Sequence, residues 1–197
     1  KISFRGVRAQ KTLAENRCYP NRSRSGERSD EKEKNDFLKM TKNFRQVFQG
    51  KISKITQEFT RGFHFVAKLK KAVAIFGSTR VLSKNHYYQE ARVLAKMLAK
   101  ARYTVITGGG PGIMEAANRG ALEGGGESVG LNIKLREWQK INKFVKKSIG
   151  FDHLFVRKVM FSFAAPIYIF FPGGFGTLDE FFEMIMLVQT KEIRHPV

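Results

Sequence analysis

Three glycine-rich turns are the part of the sequence whose residue types suit chemistry on a small anionic ligand. They read Gly77-Ser78, Gly108-Gly109-Gly110-Pro111-Gly112 and Gly173-Gly174-Phe175-Gly176-Thr177, and each follows an apolar run. Glycine lets a backbone approach a phosphate closely, and a helix that begins there offers unpaired N–H groups and the positive end of its dipole. One turn alone is equally consistent with a tight connection that binds nothing. The three together predict a single phosphate-binding pocket.

Neither of the two long turns matches a common phosphate-binding fingerprint. Counting from Gly108, Ile113 stands where G-x-G-x-x-G requires its last glycine, and no G-K-[ST] sequence occurs anywhere in the chain. The sequence therefore argues against a conventional NAD site and against a P-loop ATPase.

The elements around the turns alternate between strands and helices. Apolar runs predict buried strands at 72–76, 103–107, 128–133 and 166–171, with a short extended segment at 151–155. Helical patterns follow after an N-cap at Ser83 and over 111–123, 156–163 and 177–189. This alternation predicts an α/β fold, a Rossmann-like doubly wound parallel sheet with flanking helices, in which the turns meet at the carboxyl edge.

Three regions follow from composition and periodicity. Residues 1–36 are basic and polar with few apolar side chains, which predicts a disordered segment. Residues 37–70 repeat apolar side chains every three or four positions, which predicts an amphipathic leading helix packed on the core and broken or kinked at Gly50 and Gly62. A basic helix on a membrane surface is the alternative. Residues 71–197 then form the nucleotide-binding domain.

Both ends of the chain suggest a longer protein. The first methionine is Met40, so we expect the preceding residues to be upstream or non-native sequence. Several acidic residues in this segment disfavour an organelle transit peptide. Residues 195–197 read as the approach to another strand, so we expect the C-terminal strand and helix of the domain to be missing.

Charge and cysteine content narrow the partners and the compartment. The formal net charge is +19, but residues 1–71 carry 19 Lys and Arg against 7 Asp and Glu, so most of the excess lies outside the glycine turns. Nucleic acid is therefore a weak expectation. Cys18 is the single cysteine, which excludes an internal disulfide and favours a reducing, cytoplasmic setting. No apolar run is long enough to span a membrane.

The charged residues near the last turns can also be explained by purely structural roles. Thr177 and Glu180 are spaced as N-cap and N3 of a capping box, so spacing alone leaves a structural role for Glu180 open. Arg157 and Lys158 alone read as an ordinary solvated basic pair.

The motifs taken in order resemble the LONELY GUY family, cytokinin riboside 5'-monophosphate phosphoribohydrolases once mislabelled lysine decarboxylases. Residues 172–180, PGGFGTLDE, match its PGGxGTxxE signature. Residues 108–121, GGGPGIMEAANRGA, resemble the second signature of its bacterial branch, and 155–158, FVRK, resemble its arginine-lysine motif. Residues 58–63 are similar to its leading helix. The resemblance covers roughly residues 52–194.

This resemblance implies a hydrolase that cleaves the N-glycosidic bond of a purine nucleoside 5'-monophosphate, cytokinin-type or AMP-like, without a metal or redox cofactor. It implies Arg157 and Glu180 as the catalytic pair. Glu180 would stabilise the sugar cation or orient water, and Arg157, permanently protonated, would hold Glu180 ionised or stabilise charge on the departing base. The implied substrate-binding residues are Gly77, Ser78, Gly108, Gly109, Gly110, Gly112, Glu115, Lys158, Gly173, Gly174, Gly176 and Thr177.

The family resemblance also implies a homodimer, formed through helices around 156–163 and 181–187. One departure puts base specificity in question, because Arg136, followed by Trp138, stands where the family usually has a proline. Two other functions stay open. The same fold serves non-catalytic nucleotide-binding or sensory proteins, and single-stranded nucleic acid binding ranks last.

Overall fold

The computed structural model describes residues 24–134 and 141–193. The chain divides into two units, residues 1–49 and residues 50–197. Helix α1 (Arg24–Val66) contributes to both units. In the first unit it stacks the rings of Phe44 and Phe48 with their centroids 6.0 Å apart. In the described residues, none of the helices combines the length and apolarity that a membrane crossing needs.

The second unit is an α/β sheet structure whose elements alternate along the chain. After α1 they are β1 (Ala72–Phe76), α2 (His86–Lys100), β2 (Thr104–Thr107), α3 (Ile113–Glu123), β3 (Ser128–Ile133), β4 (Lys147–Phe151), α4 (Leu154–Ala164), β5 (Ile167–Phe170) and α5 (Phe175–Gln189). The five strands pair in parallel in the order β4-β3-β2-β1-β5. The predicted Rossmann-like doubly wound sheet is therefore confirmed.

Strand β1 shows why helices cover both faces of this sheet. All five of its residues are buried, and successive side chains point to opposite faces. Val73 and Ile75 pack with the buried faces of α2 and α3. Ala74 and Phe76 pack with α4 and with apolar residues of α1 and α5. A strand buried on both sides needs a continuous apolar run rather than an alternating one, which is what the sequence has here.

The starts of the helices differ from the sequence prediction. Helix α2 is capped by Asn85, whose Oδ1 accepts the Tyr87 N–H at 2.9 Å, and not by Ser83, because a turn from Leu82 to Asn85 delays the helix. Helix α5 begins at Phe175 after Gly174, so Thr177 lies inside the first turn without a capping bond. The capping-box reading of Thr177 and Glu180 is therefore wrong.

Two further boundaries differ from the prediction. Helix α3 begins at Ile113 rather than at residue 111, with Gly112 as its cap at a φ of 69°. The segment predicted as extended at 151–155 is the last residue of β4 and the first turn of α4. Both shifts are of the size expected when a boundary is set by turn geometry that no periodic pattern records.

Helix α1 departs most from prediction. It begins at Arg24 rather than at Phe37, in a stretch rich in Glu, Lys and Arg, which are good helix formers. It also runs unbroken through Gly50 and Gly62, because a glycine costs a helix only about 1 kcal/mol. The predictions for residues 1–23, for the loop with Arg136 and Trp138 and for residues 195–197 lie outside the described residues.

The close packing of α2 on α3 gives a stability test. A Cβ on Gly120 would overlap the backbone carbonyl of Arg92, which cannot move independently. We expect Gly120→Ala to lower the free energy of unfolding by about 1–3 kcal/mol, as overpacking does. The control is Gly50→Ala, since nothing lies within 4 Å of that Cβ and the protein should be as stable or slightly more stable. Urea unfolding measures both, and equal midpoints would contradict the packing.

Candidate active site

The sheet order creates a crevice at one position. The chain moves outward from β1 through β2 and β3 to β4, and then returns to place β5 on the other side of β1. At such a reversal the loops after β1 and β5 diverge, and ligands bind outside the carboxyl ends of the strands. A cavity of about 700 Å³ opens there. That volume is typical of a small-molecule site.

The cavity brings together eight of the fourteen site residues expected from the sequence: Gly77, Ser78, Gly108, Arg157, Gly174, Gly176, Thr177 and Glu180. The other six, Gly109, Gly110, Gly112, Glu115, Lys158 and Gly173, do not line it. Sequence reasoning missed the remaining lining residues, which are Phe76, Thr79, Arg80, Met114, Ile133, Leu154, Phe161 and Phe175. Most of these are apolar and lack any motif that distinguishes them from core residues.

Arg157 and Glu180 form a buried ion pair at the wall of the cavity. Arg157 projects from α4 and Glu180 from α5, and the Nη2 atom of the arginine lies 3.2 Å from Oε1 of the glutamate. Glu180 is 4% exposed. Two further atoms of the pair, Nε of Arg157 and Oε2 of Glu180, are buried without a hydrogen-bond partner among the described residues. Buried polar atoms without a partner are rare in folded proteins, so this pair is a candidate functional site.

Burial sets the protonation behaviour of this pair. Desolvation raises the pKa of Glu180 to about 7, although the charge of Arg157 opposes the shift. Desolvation also lowers the pKa of Arg157, and Glu180 opposes that change. A guanidinium stays charged at any ordinary pH. The carboxyl of Glu180 is therefore the group that exchanges a proton near neutrality, as a general base or acid requires.

The turn after β5 gives the cavity backbone N–H groups of the kind that can bind an anion. The first N–H groups of a helix have no partner within it, and here they belong to Phe175 and Gly176 at the start of α5. The N–H of Thr177 already donates to the carbonyl of Gly174 at 2.9 Å, which leaves its hydroxyl for a ligand. Gly173 has a different function, because a Cβ there would overlap the Thr177 side chain.

Three asparagines position the glycine turn after β2. The side-chain amide of Asn142 donates to the carbonyls of Gly109 and Gly110 at 3.1 and 2.9 Å, and to Oδ1 of Asn118 at 2.9 Å. Asn132 donates to the carbonyl of Gly108 at 2.9 Å. The amides fix the turn so that Gly108 faces the cavity. No spacing in the sequence indicates this role for Asn132 or Asn142.

Gly109 and Gly112 act through backbone shape rather than through ligand contact. Their φ angles are 74° and 69°, in the left-handed region that favours glycine. A Cβ at Gly109 would overlap Asn132, and one at Gly112 would overlap the carbonyl of Ser78. The second glycine turn is therefore packed against its neighbours.

Glu115 and Lys158 contact protein groups away from the cavity. Glu115 accepts a hydrogen bond from the hydroxyl of Tyr88 at 3.0 Å. The ammonium of Lys158 lies 2.8 Å from Asp179 and 2.9 Å from Glu183, so it links α4 to α5 beside the Arg157–Glu180 pair. Within residues 24–134 and 141–193, no three His, Cys, Asp or Glu side chains cluster as a metal site would require.

A second cavity, of about 510 Å³, lies near the amino ends of the strands and is lined by basic residues such as Lys68 and Arg102. Its one carboxylate, Glu127, is paired with Lys147. No acid–base pair comparable to Arg157 and Glu180 lines it, so we assign the chemistry to the larger cavity.

Comparison with known proteins finds both sequence and fold relatives. Residues 114–197 match a family described as possible lysine decarboxylase. The probable cytokinin riboside 5'-monophosphate phosphoribohydrolase LOG6 of Arabidopsis thaliana is 28% identical over 121 residues, which are 60% of this chain and 60% of that protein. The chain thus spans about three fifths of the length of this curated relative.

Solved structures share the fold. The structural genomics target TM1055 is 25% identical with a TM-score of 0.53, over 60% of this chain and 70% of that one. The molybdenum cofactor binding protein of Rippkaea orientalis is 20% identical, with a TM-score of 0.53 over 63% and 74% of the two chains. The molybdenum cofactor carrier protein of Chlamydomonas reinhardtii is 22% identical, with a TM-score of 0.51 over 62% and 73%. At this identity the latter two show the fold alone.

The raised pKa of Glu180 predicts that the free energy of unfolding falls as the pH rises toward 7. The folded protein binds a proton at Glu180 up to about pH 7, whereas the unfolded chain releases it near 4.5. The stability contributed by this group is therefore complete below the unfolded pKa and is lost as pH rises through 7. Relative to Glu180→Gln, the wild type should lose about 3 kcal/mol of unfolding free energy across this window.

Urea unfolding of both proteins at several pH values measures this difference, and the other titrating groups cancel in the comparison. A difference between the two proteins that stays constant across the window would show that Glu180 has an ordinary pKa.

Proposed function

We propose that the chain is an N-glycosidase of the LONELY GUY type, which hydrolyses a purine nucleoside 5'-monophosphate to free base and ribose 5-phosphate; its similarity to a named phosphoribohydrolase supports this. The observation that supports this most is the buried Arg157–Glu180 pair, which lines a cavity and whose Nε and Oε2 atoms have no hydrogen-bond partner among the described residues. Opposite charges suit a reaction that develops positive charge on a sugar and negative charge on its leaving group. We also propose a cytoplasmic site of action.

The two atoms of the pair without a hydrogen-bond partner suggest a separate role for each residue in the reaction. Oε1 of Glu180 is held by Arg157, so Oε2 is the atom that orients water toward the anomeric carbon and accepts its proton. The bond from that carbon to the base nitrogen breaks as water oxygen attacks, and the electron pair leaves with the base. Nε of Arg157 donates to the departing base. The proton on Glu180 is then passed to the base or to solvent.

The cavity lining suggests how the nucleotide is oriented. The phosphate would lie at the start of α5, against the N–H groups of Phe175 and Gly176 and the hydroxyl of Thr177. The apolar lining residues Met114 and Ile133 offer a surface for a purine ring. Because the relative in Arabidopsis thaliana is named for a cytokinin riboside 5'-monophosphate, a substituted adenine belongs among the first substrates to test.

The test of this proposal follows release of free base by chromatography, from AMP and from isopentenyladenosine monophosphate. We expect Glu180→Gln and Arg157→Ala to lower kcat/KM by about 100-fold or more, as removal of an acid–base group or a charge-stabilising donor does. The matched control is Glu127→Gln, a paired carboxylate at the opposite edge of the sheet, which should retain wild-type turnover.

Two outcomes would change the assignment. Equal turnover by the parent and the two variants would remove the proposed roles. Tight binding of a nucleotide by the parent without release of base would favour a non-catalytic nucleotide-binding protein.

We further propose that the chain forms a homodimer through α4 and α5. Several large apolar side chains on these helices are exposed, among them Phe163, Phe182, Ile185 and Met186. Exposed apolar surface of this extent is typical of a protein–protein interface.

Two methionines that are equally exposed test the dimer. Met186 on α5 and Met97 on α2 are each 62% exposed. Because a charge buried in an interface without a partner is costly, we expect Met186→Glu to weaken the dimer by at least about tenfold in Kd, whereas Met97→Glu leaves it unchanged. Size-exclusion chromatography with light scattering at several concentrations measures both. A monomeric wild type at high concentration would refute the dimer.

A further inference from the structure

The start of α4 lacks a cap of its own. His153 occupies the N-cap position, and its side chain makes no capping hydrogen bond to the helix. Arg157 lies only four residues later, so the start of this helix sets the position of the guanidinium. Unpaired N–H groups at a helix start need an acceptor from elsewhere.

An acceptor for the N-cap residue and the residue before it comes from α1, far away in the sequence. Oε1 of Glu58 accepts hydrogen bonds from the N–H groups of Asp152 and His153, the latter at 3.4 Å. Oε2 of the same carboxylate lies 2.6 Å from Nδ1 of His153. Both oxygens are therefore used, and the negative charge stands where the dipole of α4 favours it.

Because Glu58 is buried, its carboxylate needs these hydrogen-bond partners. Glu58 is 3% exposed, and a buried carboxylate is stable only when it is paired and hydrogen-bonded. Moving α4 away from α1 would leave this charge uncompensated. The contact thus restricts α4 to a narrow range of positions.

Gly62, one helical turn after Glu58, also allows α1 to approach α4 closely. A Cβ on this residue would lie 2.5 Å from Sδ of Met160 and 3.1 Å from the ring of Phe151. Positions four apart share one face of a helix, so Glu58 and Gly62 hold α1 against α4 at two neighbouring points.

We propose that Glu58 and His153 are positioning residues that set where Arg157 meets Glu180. The buried carboxylate holds Asp152 and His153, which lead into α4, and the first turn of that helix carries the guanidinium to within 3.2 Å of its partner. The catalytic consequence rests on the proposed hydrolase function, whereas the effect on the ion pair does not. A misplacement of about 1 Å at a reacting group is enough to lower a rate strongly.

The kinetic test compares Glu58→Ala with a matched exposed pair. We expect Glu58→Ala to lower kcat for nucleotide hydrolysis by about tenfold while KM stays within about twofold, because phosphate binding lies on α5. His153→Ala, which keeps the backbone bonds to Glu58, should lower kcat by about threefold. Glu90→Ala, which breaks the exposed His86–Glu90 pair on α2, should change neither constant.

A second measurement does not need activity. In a double-mutant cycle of urea unfolding, Glu58→Ala and Glu180→Gln should be non-additive, with a coupling of about fivefold or more in the unfolding equilibrium constant. Glu90→Ala should be additive with Glu180→Gln. A purely structural role for Glu58 would destabilise the protein without this coupling.

The outcomes separate the two proposals. Additive unfolding energies with an unchanged kcat in an active parent would overturn the positioning role and leave the hydrolase intact. An inactive parent with clear coupling would refute the hydrolase alone. If Glu58→Ala does not fold, Glu58→Gln replaces it in both measurements, since it keeps an acceptor oxygen but loses the charge. We then expect half or less of each effect, and none at all would overturn the proposal.

Discussion

The site depends on keeping one carboxylate and one guanidinium together away from water. Removing Glu180 from solvent raises its pKa to about 7, and the nearby charges of Arg157 and, to a lesser extent, Lys158 limit the shift. Such a pair stabilises the fold little, because the cost of desolvation offsets the attraction between the charges. Its two unpartnered atoms add to that cost. The rest of the domain has to supply the stability that this arrangement does not.

The helices that carry the pair are held by contacts on several sides. Lys158 joins α4 to α5 through Asp179 and Glu183, and α1 contacts the start of α4 through Glu58. The apolar cluster between these helices and the sheet provides favourable burial. Ionic contacts therefore set geometry here, while apolar packing supplies the free energy.

Periodic patterns predicted the elements well and their ends poorly. The parallel sheet and its alternating helices follow from apolar runs in the sequence, and the structure confirms them. The strand order was not readable, because it depends on contacts between segments far apart in the chain. The start of α5 at Phe175 was missed because the backbone of Gly174 begins it without a capping side chain.

The candidate site was predictable where a motif marks it and unpredictable where packing alone decides. The glycine turns and the Arg157–Glu180 pair came from motifs. Met114 and Ile133 at the cavity have no such signal, because lining and core residues have the same apolar character. Lys158 and Glu115 matched motif positions, yet they contact Asp179 and Tyr88 instead of lining the cavity.

The turn after β2 is held in its conformation by side chains that carry no charge. Asn118, Asn132 and Asn142 are neutral amides, so their hydrogen bonds do not titrate and are not screened by salt. The wall of the crevice formed by this turn thus keeps one contour across the range in which Glu180 gains or loses its proton. A change in pH therefore alters the protonation of Glu180 but not the shape of this wall.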